Sequence, residues 1–151
     1  MSIAELLLEC VLLVNQPACS GRQVHIVMSD ALDVVRAIAR GEGYDISNHE
    51  VCSFDWLDSA EKPLLPCFVS VGFYINGSIR STISISTATG QSIDMNTCEV
   101  FEYSSLLPFQ ARVQKLTDTP KMTAEKLAEM VGCGAPRIVG RTDRPPAKNS
   151  K

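Results

Sequence analysis

His49 and Cys52 lie three residues apart and are of the types that perform nucleophilic and metal chemistry. A histidine base beside a thiol could activate it as a nucleophile, and with two more ligands the pair could hold zinc. The alternative, a surface histidine followed by a core cysteine, is favoured because no paired His/Cys cluster occurs elsewhere in the sequence. The pattern therefore predicts no catalytic residue, no metal site and no cofactor. An uncharacterised enzyme that uses His49 and Cys52 is the lesser alternative.

A second pair, Asp55 and Asp58, could place two carboxylates on one side of a turn, an arrangement used in acid–base and metal chemistry. Such pairs are also common on protein surfaces. The sequence contains no GxxxxGK[ST] phosphate loop, no GxGxxG after a strand and no GxSxG nucleophile elbow. The missing motifs lower the expectation of an enzyme, and a small non-enzymatic regulatory or binding protein is the main prediction.

The composition of the chain, 151 residues with 45% hydrophobic and 21% charged residues, is that of one ordinary globular domain. No stretch reaches the roughly 18–20 apolar residues of a membrane span, so no membrane partner is predicted. The apolar N-terminus is interrupted by Glu5 and Glu9 and lacks the basic start of an export signal. We therefore predict a cytoplasmic protein whose six cysteines are reduced.

Helices and a meander of strands are predicted along the chain. A capping-box signature predicts a helix over residues 2–14, and a second helix over residues 31–40 ends at Gly41. Asn76-Gly77 is a strong signal for a tight hairpin. Strands are predicted over residues 23–28, 51–56, 69–75, 79–86, 92–95, 99–103 and 109–116. The predicted fold is α+β, with an antiparallel β-meander packed against two N-terminal helices and followed by a C-terminal helix, over residues 122–132, and a basic tail.

Charge is distributed unevenly along the chain. Residues 1–120 hold 7 Lys and Arg against 14 Asp and Glu, and residues 121–151 hold 7 against 3, so the balances of −7 and +4 give the net charge of −3. The predicted division is an α+β body over residues 1–116, a C-terminal helical segment over 117–143 and a disordered tail over 144–151. An acidic body with a basic end is typical of a chain that contacts a polyanion through the basic part.

Within residues 123–141, Ala128, Gly132 and Ile138 have the spacing of a small residue in a first helix, a glycine at a turn and a branched apolar residue in a second helix. This pattern resembles the helix-turn-helix motif of phage-repressor-type DNA-binding proteins. The resemblance implies that side chains from Ala135 to Arg141 face the major groove. Together with the basic charge of this region, it gives a predicted nucleic-acid-binding set of Lys121, Lys126, Arg137, Arg141 and Arg144.

Two functions follow from these patterns. The main one is a regulatory protein that contacts DNA or RNA through its basic C-terminal segment, with a homodimer as one option. The alternative is an acidic protein–protein interaction module or inhibitor whose body engages a basic protein partner. In size, charge and lack of motifs, the chain is similar in type to small proteins of phages and mobile elements that block host nucleases, including anti-CRISPR proteins. No residue motif carries that similarity.

Overall fold

A computed structural model describes residues 13–14, 19, 21–57 and 65–141 of the chain. The first described segments form an antiparallel ribbon, in which Leu13–Val14 (β1) pairs with Gln23–Val24 (β2). The helix predicted over residues 2–14 is therefore wrong at its last two residues. The rest of that prediction, and the predicted tail over residues 144–151, lie outside the described residues.

The helix predicted over residues 31–40 is confirmed as Met28–Gly41 (α1). Asp30 stands in its first turn and Arg40 in its last, where each charge is favourable to the helix dipole. Its apolar residues recur at three- and four-residue spacing, which places them on one side of the helix. The buried residues of α1 are Ala31, Val34, Val35, Ile38 and Ala39.

A six-stranded sheet forms the centre of the fold, and its strands lie side by side in chain order. They are Cys52–Trp56 (β3), Phe68–Ile75 (β4), Ser78–Ser86 (β5), Ser92–Asp94 (β6), Glu99–Phe101 (β7) and Arg137–Val139 (β8). Pairing is antiparallel from β3 to β7, and β8 joins β7 in parallel. The predicted α+β class and the meander are confirmed. The hairpin at Asn76-Gly77 is confirmed too, with φ angles of 50° and 82° at its two residues.

The strand predicted over residues 109–116 is wrong, because this segment is a helix. The helix is Leu107–Thr117 (α2), which follows the 3₁₀ turn Ser104–Leu106. Pro108 lies in its first turn, where a missing N–H removes no helical hydrogen bond. The buried residues of α2 are three and four positions apart, the spacing of a helix rather than a strand: Gln110, Val113 and Thr117.

The two faces of the sheet are covered by different elements. On one face, α1 packs over Val71, Phe73 and Ile83 in the larger apolar core. On the other face lies the predicted C-terminal helix, confirmed as Ala124–Met130 (α3), which buries Leu127 in a smaller apolar cluster that includes Val100. Alternate residues of each strand point to opposite faces, so the short strands β6, β7 and β8 contribute side chains to both sides.

Four cysteines are paired in disulfides, so the prediction of reduced thiols is wrong for them. Cys19 is bonded to Cys67 and Cys98 to Cys133, with Cα–Cα distances of 5.6 and 5.8 Å. The partners lie 48 and 35 positions apart in sequence, and only the fold brings them together. Cys52 is a free thiol and is buried. In the described parts of the chain, no helix combines the length and apolar character required to cross a membrane.

Candidate functional site

The segment that resembles a helix-turn-helix motif contains one helix and one strand. α3 supplies the predicted first helix with Ala128 buried, and Gly132 has the positive φ, 82°, of the expected turn. The predicted second helix is wrong, because residues 137–139 form β8. The backbone of that strand is bound to the sheet, and the N–H of Arg137 donates to the carbonyl of Cys98 at 2.9 Å.

The composition of this segment explains why it forms a strand. Gly134 and Gly140 lose entropy in a helix, and Pro136 lacks the donor that a helix interior requires. Ile138 keeps its predicted packing role, since it lies against the cluster that contains Leu127. The basic side chains of this region are therefore placed by the edge of a sheet and not by a recognition helix.

On the α1 face of the sheet, Arg137 covers a buried carboxylate. It lies opposite Glu99 in the register of β7 and β8 and forms an ion pair with it. The Glu99 side chain is 6% exposed and that of Arg137 is 70% exposed, and the hydroxyl of Thr97 donates to Glu99 at 2.8 Å. The neighbouring buried carboxylate, Asp94, accepts a hydrogen bond from the hydroxyl of Ser81. Both buried carboxylates thus have the partners that burial of a charge requires.

A third carboxylate, Glu42, joins these groups from the C-terminal end of α1. It lies 3.6 Å from a guanidinium nitrogen of Arg80. Burial raises the pKa of Glu42, and the charges of Glu99 and Asp94 raise it further, while Arg80 opposes them. We define the carboxylate–arginine cluster as Glu42, Arg80, Asp94, Glu99 and Arg137. Its three carboxylates and two guanidiniums leave one uncompensated negative charge when all are ionised.

Replacing Glu42 with glutamine is expected to raise the free energy of unfolding at pH 7. The pKa of Glu42 is raised in the folded protein, so the wild type loses stability as the pH rises through that pKa. Below the ordinary value of 4.5 the carboxyl is protonated in both states, and the two proteins should have equal stability. Urea unfolding from acid to neutral pH measures the difference, with Glu50→Gln at an exposed loop position as the control. Parallel curves for Glu42→Gln and wild type would contradict the expectation.

Beyond the carboxyl end of β7, two predicted site residues meet at a cleft. Lys121 and Arg141 line a cavity of about 260 Å³ between the end of β7, the first turns of α2 and the linker to α3. Glu102 and Gln110 also line it, and Glu102 accepts a hydrogen bond from Arg141 Nε at 3.0 Å. An adjoining hollow of about 450 Å³ continues along the start of α3. We call the site formed by Glu102, Gln110, Lys121 and Arg141 the Lys121 cleft.

The other predicted nucleic-acid-binding residues do not join this cleft. Lys126 is exposed on α3 and pairs with Glu129 at 3.2 Å. Arg137 belongs to the carboxylate–arginine cluster, where it pairs with Glu99, and Arg144 lies outside the described residues. Binding of DNA or RNA by this set stays a prediction, and the residues do not form one basic surface in the part of the chain that the structure describes.

The residues with possible catalytic or metal chemistry are not brought together. His49 is exposed in a turn, whereas the thiol of Cys52 is buried in the apolar core beneath α1. Asp55 is exposed on β3, and Asp58 lies outside the described residues. Among the residues that the structure describes, no group of three His, Cys, Asp or Glu side chains is arranged to hold a metal ion.

Sequence reasoning does not single out Gln110 or Glu99 as site residues. One signal for Gln110 exists, because a glutamine occupies a position of α2 whose helical neighbours Val113 and Thr117 are buried. Polar residues at buried positions require partners, so such a position marks either a structural hydrogen bond or a site. Glu99 can be recognised as a site residue only from the register of β8, which places Arg137 opposite it.

The fold is shared with a protein of known structure. No protein-family model matches the sequence, and no curated protein matches it. A solved structure with a similar fold is that of a type VI secretion system effector–immunity complex from Pseudomonas protegens. The alignment with one of its chains covers 80% of this chain and 98% of the other, with a TM-score of 0.59 and 23% sequence identity. At that identity the likeness shows a common fold.

Proposed function

We propose that this protein is a partner-binding inhibitor, of the kind that acts as the immunity member of an effector–immunity pair. The observation that carries the proposal is the shared fold, which spans nearly the whole of a chain from such a complex. Fold alone does not fix function. The proposal therefore also draws on the charge distribution, the state of the buried acids and the disulfides of this chain.

The distribution of charge supports binding to a basic protein surface. Residues 1–120 have a balance of −7 from 7 basic and 14 acidic residues, and several of the acids are exposed. Complementary charge accelerates the encounter of two proteins and suppresses wrong partners. The exposed acids of the described body include Asp33, Asp45, Glu50, Asp55 and Asp118.

The buried carboxylates are engaged in structural interactions. Asp94 is bound by Ser81 and by the N–H of Asn96 at 2.9 Å, and Glu99 is bound by Arg137 and Thr97. A general acid or base must instead be free to exchange a proton with a substrate. These acids therefore support a role in holding the fold and its charged surface, as expected for the inhibitor of such a pair.

The two disulfides favour action in an oxidising compartment. Disulfides persist in secreted and periplasmic proteins and are rare where glutathione and thioredoxin keep thiols reduced. The sequence predicts a cytoplasmic location and, with it, reduced thiols, whereas four of the six cysteines are paired. We include an oxidising compartment in the proposal.

Co-expression with the product of the neighbouring gene tests the proposal. Cells that express the neighbouring product alone are expected to stop growing, and cells that also express this protein are expected to survive. The two oxidised proteins should elute as one complex in size-exclusion chromatography with light scattering. Unchanged growth arrest together with separate elution would reject the proposal. A gel shift with duplex and single-stranded DNA at low salt tests the sequence-based alternative, and saturable binding there would favour it.

A further inference from the structure

We propose that the Lys121 cleft receives an acidic side chain of the partner protein, whose carboxylate binds between Lys121 and Gln110. This inference rests on the proposed function, and it names the chemical group by which a partner is recognised at this face. Its basis is the construction of the cleft, the Gln110 amide at its wall, which makes no hydrogen bond with a described residue, and the balance of charge around it.

The walls of the cleft are held in place. Gln91, which is 3% exposed, binds the linker before α3 through both halves of its amide: its nitrogen donates to the carbonyl of Met122 and its oxygen accepts from the N–H of Met122, each at 2.9 Å. Lys121 is the next residue in the chain and is carried by this fixed segment. On the opposite wall, Glu102 holds Arg141 at 3.0 Å. A cleft with fixed walls loses little conformational entropy when a ligand binds.

Gln110 is a buried polar side chain without a protein partner. It is 4% exposed, lines the cleft and makes no hydrogen bond with any described residue. Its amide atoms are accessible to solvent, because among the described residues only Ser92 Oγ is a fully buried side-chain atom without a partner. The amide N–H of Gln110 is therefore available to donate to an anionic ligand in the cleft.

Lys121 provides a positive charge beside the neutral amide of Gln110. It is exposed and makes no ion pair or hydrogen bond within the described part of the chain. Ser104 and Leu107, at the N-terminal end of α2, line the same cleft, and the positive end of a helix dipole favours an anion there. Lys121, Gln110 and Ser104 thus line one small cavity, and their ammonium, amide and hydroxyl groups are donors of the kinds that bind a carboxylate.

A protein carboxylate fits these features better than the phosphates of a nucleic acid. Nucleic acids are bound by surfaces that neutralise several phosphates in a row, whereas this cleft has one unpaired cation. Within the cleft, Glu102 is paired with Arg141. Glu125 lies in the adjoining hollow, where it would repel the further phosphates of a nucleic-acid chain. The volume of about 260 Å³ is near the lower limit of small-ligand sites, which run from roughly 300 to 1,000 Å³, and is of the size of one side chain with its water.

Titration of the ¹⁵N-labelled, oxidised full chain with a capped glutamate, N-acetylglutamate N-methylamide, tests the proposal by NMR. The side-chain amide of Gln110 and the backbone amides of Ser104, Leu107 and Lys121 are expected to shift, with a dissociation constant in the range of about 1 to 50 mM for so small a ligand. Lys121→Ala is expected to weaken this binding about tenfold, because a charge-assisted hydrogen bond is lost. Lys126→Ala, which removes an exposed lysine with its own acidic partner, is the matched control and should leave binding unchanged.

The outcomes separate this inference from its competitors. Equal shifts with a capped lysine, equal binding by Lys121→Ala and wild type, or no shift of Gln110 at the highest ligand concentration would each overturn it. Tighter, salt-dependent binding of a short single-stranded DNA that is abolished by Lys121→Ala would overturn it in favour of a phosphate ligand. If the partner complex forms and Lys121→Ala binds it as well as Lys126→Ala does, the inference fails and the proposed function stands. If no complex forms with the neighbouring product, the proposed function fails, and the capped-glutamate result still decides the chemistry of the cleft.

Discussion

Removing the Cys98–Cys133 disulfide by the double substitution Cys98→Ala and Cys133→Ala is expected to lower the free energy of unfolding by about 4 kcal/mol. The bond closes a loop of 35 positions, and for a loop of that length the loss of chain entropy in the unfolded state gives about this value. The loop contains β7, α2 and α3, which build the Lys121 cleft. Urea unfolding followed by circular dichroism, under oxidising conditions, measures the change.

Reduction of the wild type provides the comparison for this prediction. A reductant should break the Cys98–Cys133 bond and also the Cys19–Cys67 bond, which spans 48 positions. Its effect should therefore exceed that of the double substitution, which leaves Cys19–Cys67 intact. Cys52→Ala is the control for loss of a thiol alone, since Cys52 is free, and it should show only the smaller effect of a core truncation. Equal unfolding midpoints with and without reductant would contradict both the stabilising role of the disulfides and the proposed oxidising compartment.

The disulfides illustrate what local sequence patterns leave open. Six cysteines allow 15 complete pairings, and no spacing in this chain favours one of them. Cys98 meets Cys133 because the β6–β7 turn lies beside the end of α3, where β8 begins. That contact depends on the parallel pairing of β8 with β7. A strand of three residues forms because the rest of the sheet is present, and its own sequence does not determine it.

The strands and helices differ in how far their sequences determine them. β4 and β5 alternate apolar and polar residues around Asn76-Gly77, so the meander is predictable from local rules. Residues 109–116 alternate in the same way but also repeat at helical spacing, through Phe109, Val113 and Leu116. Pro108 stands in the first turn of the helix, a position that favours helix initiation and distinguishes this segment from a strand.

The sequence identifies basic residues of the candidate site but does not show which of them lie together. Lys121 and Arg141 stand out as basic residues in the sequence, and the structure places both at one cleft. Arg137 instead lies within β8 opposite Glu99, where it pairs with that carboxylate, whereas Arg141 follows the end of the strand. Gln110 reaches the cleft through α2, a segment for which the sequence predicts a strand, so the local pattern does not place it near Lys121.

Substituting alanine for Gly41 is expected to destabilise the protein, although alanine is ordinarily the better helix residue. Gly41 ends α1, where the gain in helix propensity would be about 0.5–1 kcal/mol. However, a β-carbon there would stand 2.5 Å from Cε1 of Tyr103, and one on Gly140 would stand 2.6 Å from Cδ1 of the same ring. The ring therefore lies directly on both glycine backbones. We expect Gly41→Ala to lower the free energy of unfolding by about 2 kcal/mol.

Gly140→Ala should cost more than Gly41→Ala, because Gly140 also has a φ of 89°, which strains any residue with a β-carbon. Gly134→Ala is the matched control, since nothing lies within 4 Å of its β-carbon position, and it should change stability by less than about 0.5 kcal/mol. In a Tyr103→Ala background the ring is absent, and Gly41→Ala should become neutral or stabilising, a coupling that a double-mutant cycle measures. An undiminished cost of Gly41→Ala in that background would show that the tyrosine is not the cause.

The Tyr103 ring lies between the carboxylate–arginine cluster and the Lys121 cleft, because it contacts Gly41, which precedes Glu42, and Gly140, which precedes Arg141. Variants that displace the ring should therefore disturb both the carboxylate–arginine cluster and the Lys121 cleft.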